Sequence, residues 1–311
     1  MGIVITAAAT AAHTDPATPA SAVDLAARAA RSCLDGARVS PSGVGVLVNV
    51  GVYREHNTFE PAVSALVQKE VGINLDYLAD PQPAAGFSFD LMNGACGVLS
   101  AVQAAQSLLA TGTTERLLIT AADVHPGGDA ARDPDYPYAD LGGALLLERA
   151  ADPGTGFGPV RHYGADRPTD IEGYLDLDTM GSGGRSRITV RRPPGHETRT
   201  GELAAAAVAS YAEEFGLDLT RTLLIGPRVP LAADLHGAGD LHGAGDLRGA
   251  GAPGEAGGAG GAGEAHTAAP ILGYLRALDG GARPADHDGI LFVTAGAGPS
   301  AACASYRPQG W

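Results

Sequence analysis

Basic residues are scarce. Lysine and arginine number 21 against 35 aspartates and glutamates, giving a formal net charge of −14 over 311 residues. No basic stretch stands ready to neutralise a phosphate backbone, which argues against nucleic-acid binding. Long apolar runs are missing too: nowhere do about 18 apolar residues follow one another, so no membrane span is expected. The opening stretch MGIVITAAATAAHTDP lacks a basic leader and does not read as a secretory signal. It fits the loose N-myristoylation pattern (Met1-Gly2, then Thr6), but Ile3 to Thr6 reads more simply as a first β-strand. Cysteine is the third scarcity. Cys33, Cys96 and Cys303 are few, odd in number and far apart, which argues against a disulfide framework and for a reducing cytoplasm.

Hydrophobic residues are plentiful, at 45%, enough for one large domain or two packed halves. Helical and strand patterns alternate along them. VDLAARAARSCLDGA (23–37) places Val23, Ala26, Ala27, Ala30 and Cys33 near helical spacing, and the valine-rich VGVLVNVGV (44–52) follows as a buried strand. EPAVSALVQKEVG (60–72) reads as a helix ending at Gly72. GFSFDLM (86–92) reads as a strand, 97–111 as a helix, and RLLITAAD (116–123) and GGALLLERA (142–150) as strands. The order then restarts. GELAAAAVASYAEEFGLDLTRTLLIGPRV (201–229) repeats the helix–link–strand of 23–52, and 271–298 echoes the helix and strand that end at Asp123. Strands alternating with helices predict α/β layers with largely parallel sheets. The repeat predicts two related halves, 1–150 and 151–311.

One stretch, 234–265, breaks the pattern with three hexapeptides of the form Asp-Leu-His/Arg-Gly-Ala-Gly. Three short repeats make neither a solenoid nor a metal site, even with His236 and His242 among them. Rich in glycine and poor in residues to bury, it reads as a flexible insertion. No bound metal or cofactor is expected anywhere in the chain.

In DLMNGACGVLSAVQAAQSLLATG (90–112), Cys96 stands at the start of the helix over 97–111. Free N–H groups and the positive dipole end there favour a thiolate, and the small neighbours Gly94, Ala95 and Gly97 leave room for a substrate carbonyl. A lone cysteine in an apolar segment also serves as core filler, so spacing alone leaves both readings open.

The segment FSFDLMNGACGVLSAVQAAQSLLATGTTERLLITAAD resembles the nucleophile segment of β-ketoacyl-acyl-carrier-protein synthase III enzymes of the thiolase superfamily. The closing stretch LFVTAGAGPSAACASYR (291–307) is similar to that family's final glycine-rich strand–turn–strand. The resemblance implies a thiolase-like five-layer α/β/α/β/α fold of two pseudo-repeated halves and a homodimer. It also implies an acyl group held as a thioester on Cys96, with the Cys96 N–H and a backbone N–H of Gly296 or Gly298 holding the oxyanion.

The departures matter as much. Decarboxylating members carry a histidine and an asparagine that donate to the thioester oxygen. Here Pro227, in TLLIGPRVP, falls in the histidine slot, and His266, in EAHTAAP, falls in the asparagine slot. Imidazole suits both a base and an oxyanion donor, so the resemblance points to His266 beside Cys96. NVGVYREHNTFEPAVSALVQ (49–68) is similar to a segment of the non-decarboxylating thiolases of olefin biosynthesis, where the glutamate of a Glu-Pro pair acts as a base in the partner subunit's site. Glu60-Pro61 matches it, although an acid and a proline also simply begin helices.

The expected function is acyl transfer from acyl-CoA or the phosphopantetheine of an acyl-carrier protein, by way of Cys96, to an alcohol, amine or carbon nucleophile deprotonated by His266 or Glu60. Condensation to a 3-oxoacyl product and a catalytically silent partner subunit are the alternatives. Arg185, Arg187, Arg191 and Arg192 form a basic cluster that could dock an acidic carrier protein, although such a cluster also serves as a solvated strand edge.

Overall fold

The computed structural model describes residues 2–15, 17–57, 60–74, 86–126, 135–152, 154–166, 173–175, 178, 188–227, 242–243, 264–280, 286–296 and 298–310. Strands β1 (Ile3–Ala12), β2 (Val46–Asn49), β3 (Phe87–Asp90), β4 (Arg116–Asp123) and β5 (Leu141–Arg149) form a five-stranded sheet in the order β1-β5-β4-β2-β3. After β6 (Gly156–Phe157) and β7 (Arg161–Gly164) comes a small antiparallel ribbon, β8 (Gly173–Tyr174) with β9 (Thr189–Val190). The second sheet runs β11-β10-β12-β13-β6, from β10 (Thr222–Gly226), β11 (His242–Gly243), β12 (Gly289–Gly296) and β13 (Ser300–Arg307), with β7 also paired to β13. The helices are α1 (Ala22–Ala37), α2 (Val63–Val71), α3 (Gly97–Ala110), α4 (His196–Phe215) and α5 (Ala269–Asp279).

Alternation along each strand sorts these elements into layers. Val46 and Val48 of β2, Leu117 and Ile119 of β4, and Phe292 and Ala302 of the second sheet share one central core with α3 and α5. Their strand neighbours point the other way. Leu47 and Leu118 meet α1 and α2 on the outer face of the first sheet, while Leu291 and Cys303 meet α4 on the outer face of the second. The order is therefore helix, sheet, helix, sheet, helix, the thiolase-like α/β fold. Strands buried on both faces need continuous apolar runs, which explains LLIT in β4 and ILFV in β12.

The sheets are less parallel than the alternation predicts. β2–β3, β2–β4 and β10–β12 are parallel, but β1–β5, β4–β5 and β12–β13 are antiparallel. The difference follows the connections. A parallel return needs a crossover, supplied by α2, α3 and α5; among the described residues no helix lies between β4 and β5 or between β12 and β13, and these pairs are antiparallel. β1 also runs on to Ala12, beyond the Thr6 expected, because β5 pairs with it along its length. Of 234–265, only His242, Gly243, Glu264 and Ala265 are described; the expected flexible insertion otherwise lies outside the described residues. Among the described residues no helix is long and apolar enough to cross a membrane.

Candidate active site

The turn that carries Cys96 is built by backbone geometry. β3 leads through Asn93 into a single tight turn, Gly94–Cys96, that passes directly into α3 at Gly97. Gly94 sits at φ 50°, in the left-handed region that a side chain resists. Gly97 lies so close to the residue after β2 that an added Cβ would stand 3.0 Å from Val50 Cβ. Cys96 is thereby fixed at the helix start expected from the sequence, but it is fully buried.

Burial reverses one expectation. Desolvation pushes the Cys96 thiol above the ordinary range, and hydrogen bonds to the Thr294 and Ser300 side chains offset this only in part. The thiol donates to the Ser300 carbonyl at 3.7 Å, with the Ser300 hydroxyl at 4.0 Å. The resting sulfur is therefore a protonated thiol, because loss of water outweighs the helix terminus, and its proton needs an acceptor. The Cys96 N–H also differs from its expected free state: it donates to the Asn93 carbonyl at 3.0 Å. Gly296 faces the same turn, its Cβ position 3.6 Å from Ala95 Cβ. Gly298 follows at the β12–β13 turn, with no contact to the turn described.

His266 stands in the link before α5, 8% exposed. Its Nδ1 lies 3.2 Å from Oδ2 of Asp123, the last residue of β4. The opposite nitrogen, Nε2, lies 3.9 Å from the Cβ position of Gly94, on the turn that carries Cys96. The ring stacks on Tyr138 at a centroid distance of 4.2 Å and on Tyr53 at 5.3 Å.

Asp123 is buried and fully engaged. Oδ1 accepts from the Val52 and Tyr53 N–H groups at 2.9 and 2.8 Å; Oδ2 accepts from the Thr267 N–H at 3.0 Å and from the Thr267 hydroxyl. Burial alone would raise its pKa. The charge and hydrogen bond of His266, with those of Thr267 and the Tyr53 N–H, overcome this and hold the carboxyl at about 2. Asp123 and the tyrosines escaped the sequence reading. The signal was present in a single acid closing the apolar strand RLLITAAD, and in tyrosines at 136 and 138 flanking Pro137.

The other expected residues are not gathered here. Glu60 is exposed ahead of α2, and among the described residues no contact joins it to Cys96, His266 or Asp123. Nor does it start the helix. α2 begins at Val63, its Val63 and Ser64 N–H groups capped by the Asp90 carboxylate at 2.9 and 2.8 Å. Pro227 directly follows β10 and has no proton to give. Arg185 and Arg187 lie outside the described residues. Arg191 pairs at the surface with Asp135 at 3.5 Å. Arg192 is not offered to solvent: it holds Glu264 at 3.0 Å and lies 5.0 Å from the Tyr138 ring centroid.

A thiol, an imidazole facing its turn and an ionised carboxylate behind that imidazole are the parts of nucleophilic acyl transfer. No family model matches the chain. It is 31% identical over 130 residues to β-ketoacyl-[acyl-carrier-protein] synthase III of Brucella canis, a match spanning 41% of this chain and 36% of that protein. The chain thus aligns with little more than a third of that relative. In structure it is similar to 3-oxoacyl-[acyl-carrier-protein] synthase III of Aquifex aeolicus VF5 (TM-score 0.70, 15% identity, 98% of this chain and 100% of that one). It is equally similar to OleA of Xanthomonas campestris, solved with lauric acid and lauroyl-CoA (TM-score 0.70, 15% identity, 98% of each chain).

Proposed function

We propose that this chain, ketosynthase III-like in sequence and thiolase-like in fold, is a thioester-dependent acyltransferase. The observation that carries the reading is the buried Asp123–His266 pair aimed at the Cys96 turn. In the first half-reaction His266 takes the Cys96 proton, the sulfur attacks the thioester carbonyl of acyl-CoA or acyl-carrier protein, and the leaving thiolate takes that proton. In the second, His266 takes the proton of an acceptor O–H or N–H. The acceptor attacks the acyl-cysteine, and the proton returns to sulfur. Asp123 orients the imidazole and stabilises its cationic form in both. The acyl group alone is carried, and no bound cofactor enters either step.

Decarboxylative condensation fits less well. It needs two donors to one thioester oxygen, and Pro227 occupies the slot of one of them. A missing oxyanion donor costs about 3 kcal/mol, a few hundredfold in rate. Oxyanion support in the proposed reaction comes from backbone N–H groups of the Cys96 turn and the Gly296–Gly298 turn, with the Cys96 N–H released from Asn93 when substrate seats.

The reading extends to assembly and setting. Among the described residues β3 ends the first sheet; its Phe87 is 51% exposed and Met92, just after it, 49% exposed, an edge that a second copy would cover in a homodimer. A cytoplasmic enzyme of bacterial acyl-thioester metabolism matches the reduced, buried thiols.

Intact mass after incubation with a panel of acyl thioesters tests the proposal. One acyl adduct on the wild type, absent from Cys96→Ala, is expected. Absence of any adduct would make a silent partner subunit the better reading. Efficient release of carbon dioxide from malonyl thioester with a 3-oxo product would make the chain a condensing enzyme instead.

A further inference from the structure

The chain enters the site through an unusual fastening. Glu264, two residues before His266, is clipped to the 137–139 segment: its N–H donates to the Pro137 carbonyl at 3.1 Å, and its carbonyl accepts from the Ala139 N–H at 3.0 Å. This sets Glu264 directly beside Tyr138 in an isolated parallel bridge. The Glu264 carboxylate then takes Arg192 Nη2 at 3.0 Å, and the Arg192 guanidinium lies 5.0 Å from the Tyr138 ring centroid. Tyr138 in turn stacks on His266 at 4.2 Å, with 24° between the planes. On the far side of His266, Thr267 is tied to Asp123 through both its N–H and its hydroxyl.

We propose that Arg192 and Glu264 are positioning residues for His266, acting through the Tyr138 ring to fix the plane of the imidazole against the Cys96 turn. The inference deepens the acyl-transfer reading and rests on it. Two hydrogen bonds to Asp123, from the Thr267 N–H and hydroxyl, hold the residue that follows His266, and one holds its Nδ1, which alone does not fix the ring plane. Stacking does: Tyr138 lies closer, at 4.2 Å, than Tyr53, at 5.3 Å, so the plane follows Tyr138, provided Tyr138 is itself held. Its own neighbours on the chain, Pro137 and Ala139, are bound to Glu264, and its ring is held by Arg192. Burial works against the Arg192 charge, but the Glu264 carboxylate and Tyr138 more than offset it, so the fastening stays ionic. Arg192 follows β9, so the β8–β9 ribbon is joined to the base by this ion pair. The same ribbon already packs on the site, the Cβ position of Gly173 lying 3.5 Å from the Tyr53 ring.

The test uses the full chain with Glu264→Gln and Arg192→Lys, each followed by two measurements. The first is the kcat and KM of acyl transfer. The second is the position of the His266 ring resonances, assigned by their loss in His266→Gln. Loss of positioning should lower kcat by about ten- to a hundredfold while KM stays within about twofold. It should also move the His266 resonances, because ring-current shifts depend on where Tyr138 sits. Tyr138→Leu should reproduce the kinetic loss. A salt bridge that served folding alone would change the melting temperature and leave the resonances in place. Should Glu264→Gln fail to fold, Arg192→Lys decides, since it keeps the charge and the stem. A kcat within about twofold of wild type with unmoved His266 resonances would overturn the proposal. If wild-type Cys96 accepts no acyl group, the acyl-transfer reading fails, whereas the resonances still report whether the ion pair holds the ring.

Discussion

An unpaired carboxylate as deeply buried as Asp123 would take up a proton; five donor contacts from Val52, Tyr53, His266 and Thr267 prevent it. With its pKa held at about 2 in the folded state against about 3.9 unfolded, the group stabilises the fold above pH ~4. That contribution, on the order of 2 kcal/mol, is lost as pH falls from about 4 toward 2. Denaturant titrations of wild type and Asp123→Asn should therefore differ most at neutral pH and converge as pH approaches 2. The same variant should lower kcat by about 10²–10⁴, since an amide no longer favours the required tautomer or the imidazolium. Glu60→Gln separates the two candidate bases: with His266 as base, kcat stays within about twofold. Cys96 gives a different pH signature. Its thiol is raised by burial, so iodoacetamide should label it slowly near neutrality and accelerate only at pH above the ordinary thiol range. The placement of Cys96 at a helix start was legible because it stands in a recognisable local motif. Asp123 was not, because its role exists only through His266, 143 residues away in the chain. The thiol's protonation is hidden from the sequence for a related reason: a helix start is visible there, whereas the depth of burial around it is not.

At the scale of elements, apolar periodicity located β4 to the residue and α3 to within one, because both are buried among several neighbours and their patterns are continuous. Helix α2 was placed three residues early. Its N-terminal cap comes from Asp90, at the end of β3, and not from the Glu60-Pro61 pair that precedes it in the chain. That cap does double duty, since Asp90 also accepts from the Asn49 side chain at 3.0 Å and so ties the edge of the sheet to the helix over it. Asp90→Ala should cost about 1–2 kcal/mol. The expected drop in melting temperature is a few degrees by calorimetry, with β3 and α2 losing hydrogen-exchange protection first. Strand direction was the least legible property of the elements. It depends on whether a helix fills each connection, and residues 124–140 carry no such pattern.

For the whole molecule, the alternation of helices and strands matches the two layered sheets of the structure, and the central core shows why both are needed. α3 follows the Cys96 turn and α5 follows His266, and each packs against both sheets. The β3 edge belongs to this scale as well. A homodimer formed there should dissociate when Phe87 and Met92 are replaced together by lysine, and light scattering should then report the mass of one chain. A single-chain mass for the wild type would remove the dimer from the reading.

Asp123 joins β4 to the link before α5, and that seam gives the order of synthesis a meaning. A ribosome delivers Cys96 and Asp123 while His266 is still unmade. The nascent chain therefore holds a carboxylate with no imidazole to steer. The Asp123–His266 pair and its approach to the Cys96 turn arise only when the last layers close on the first, so that geometry is itself a mark of completed folding.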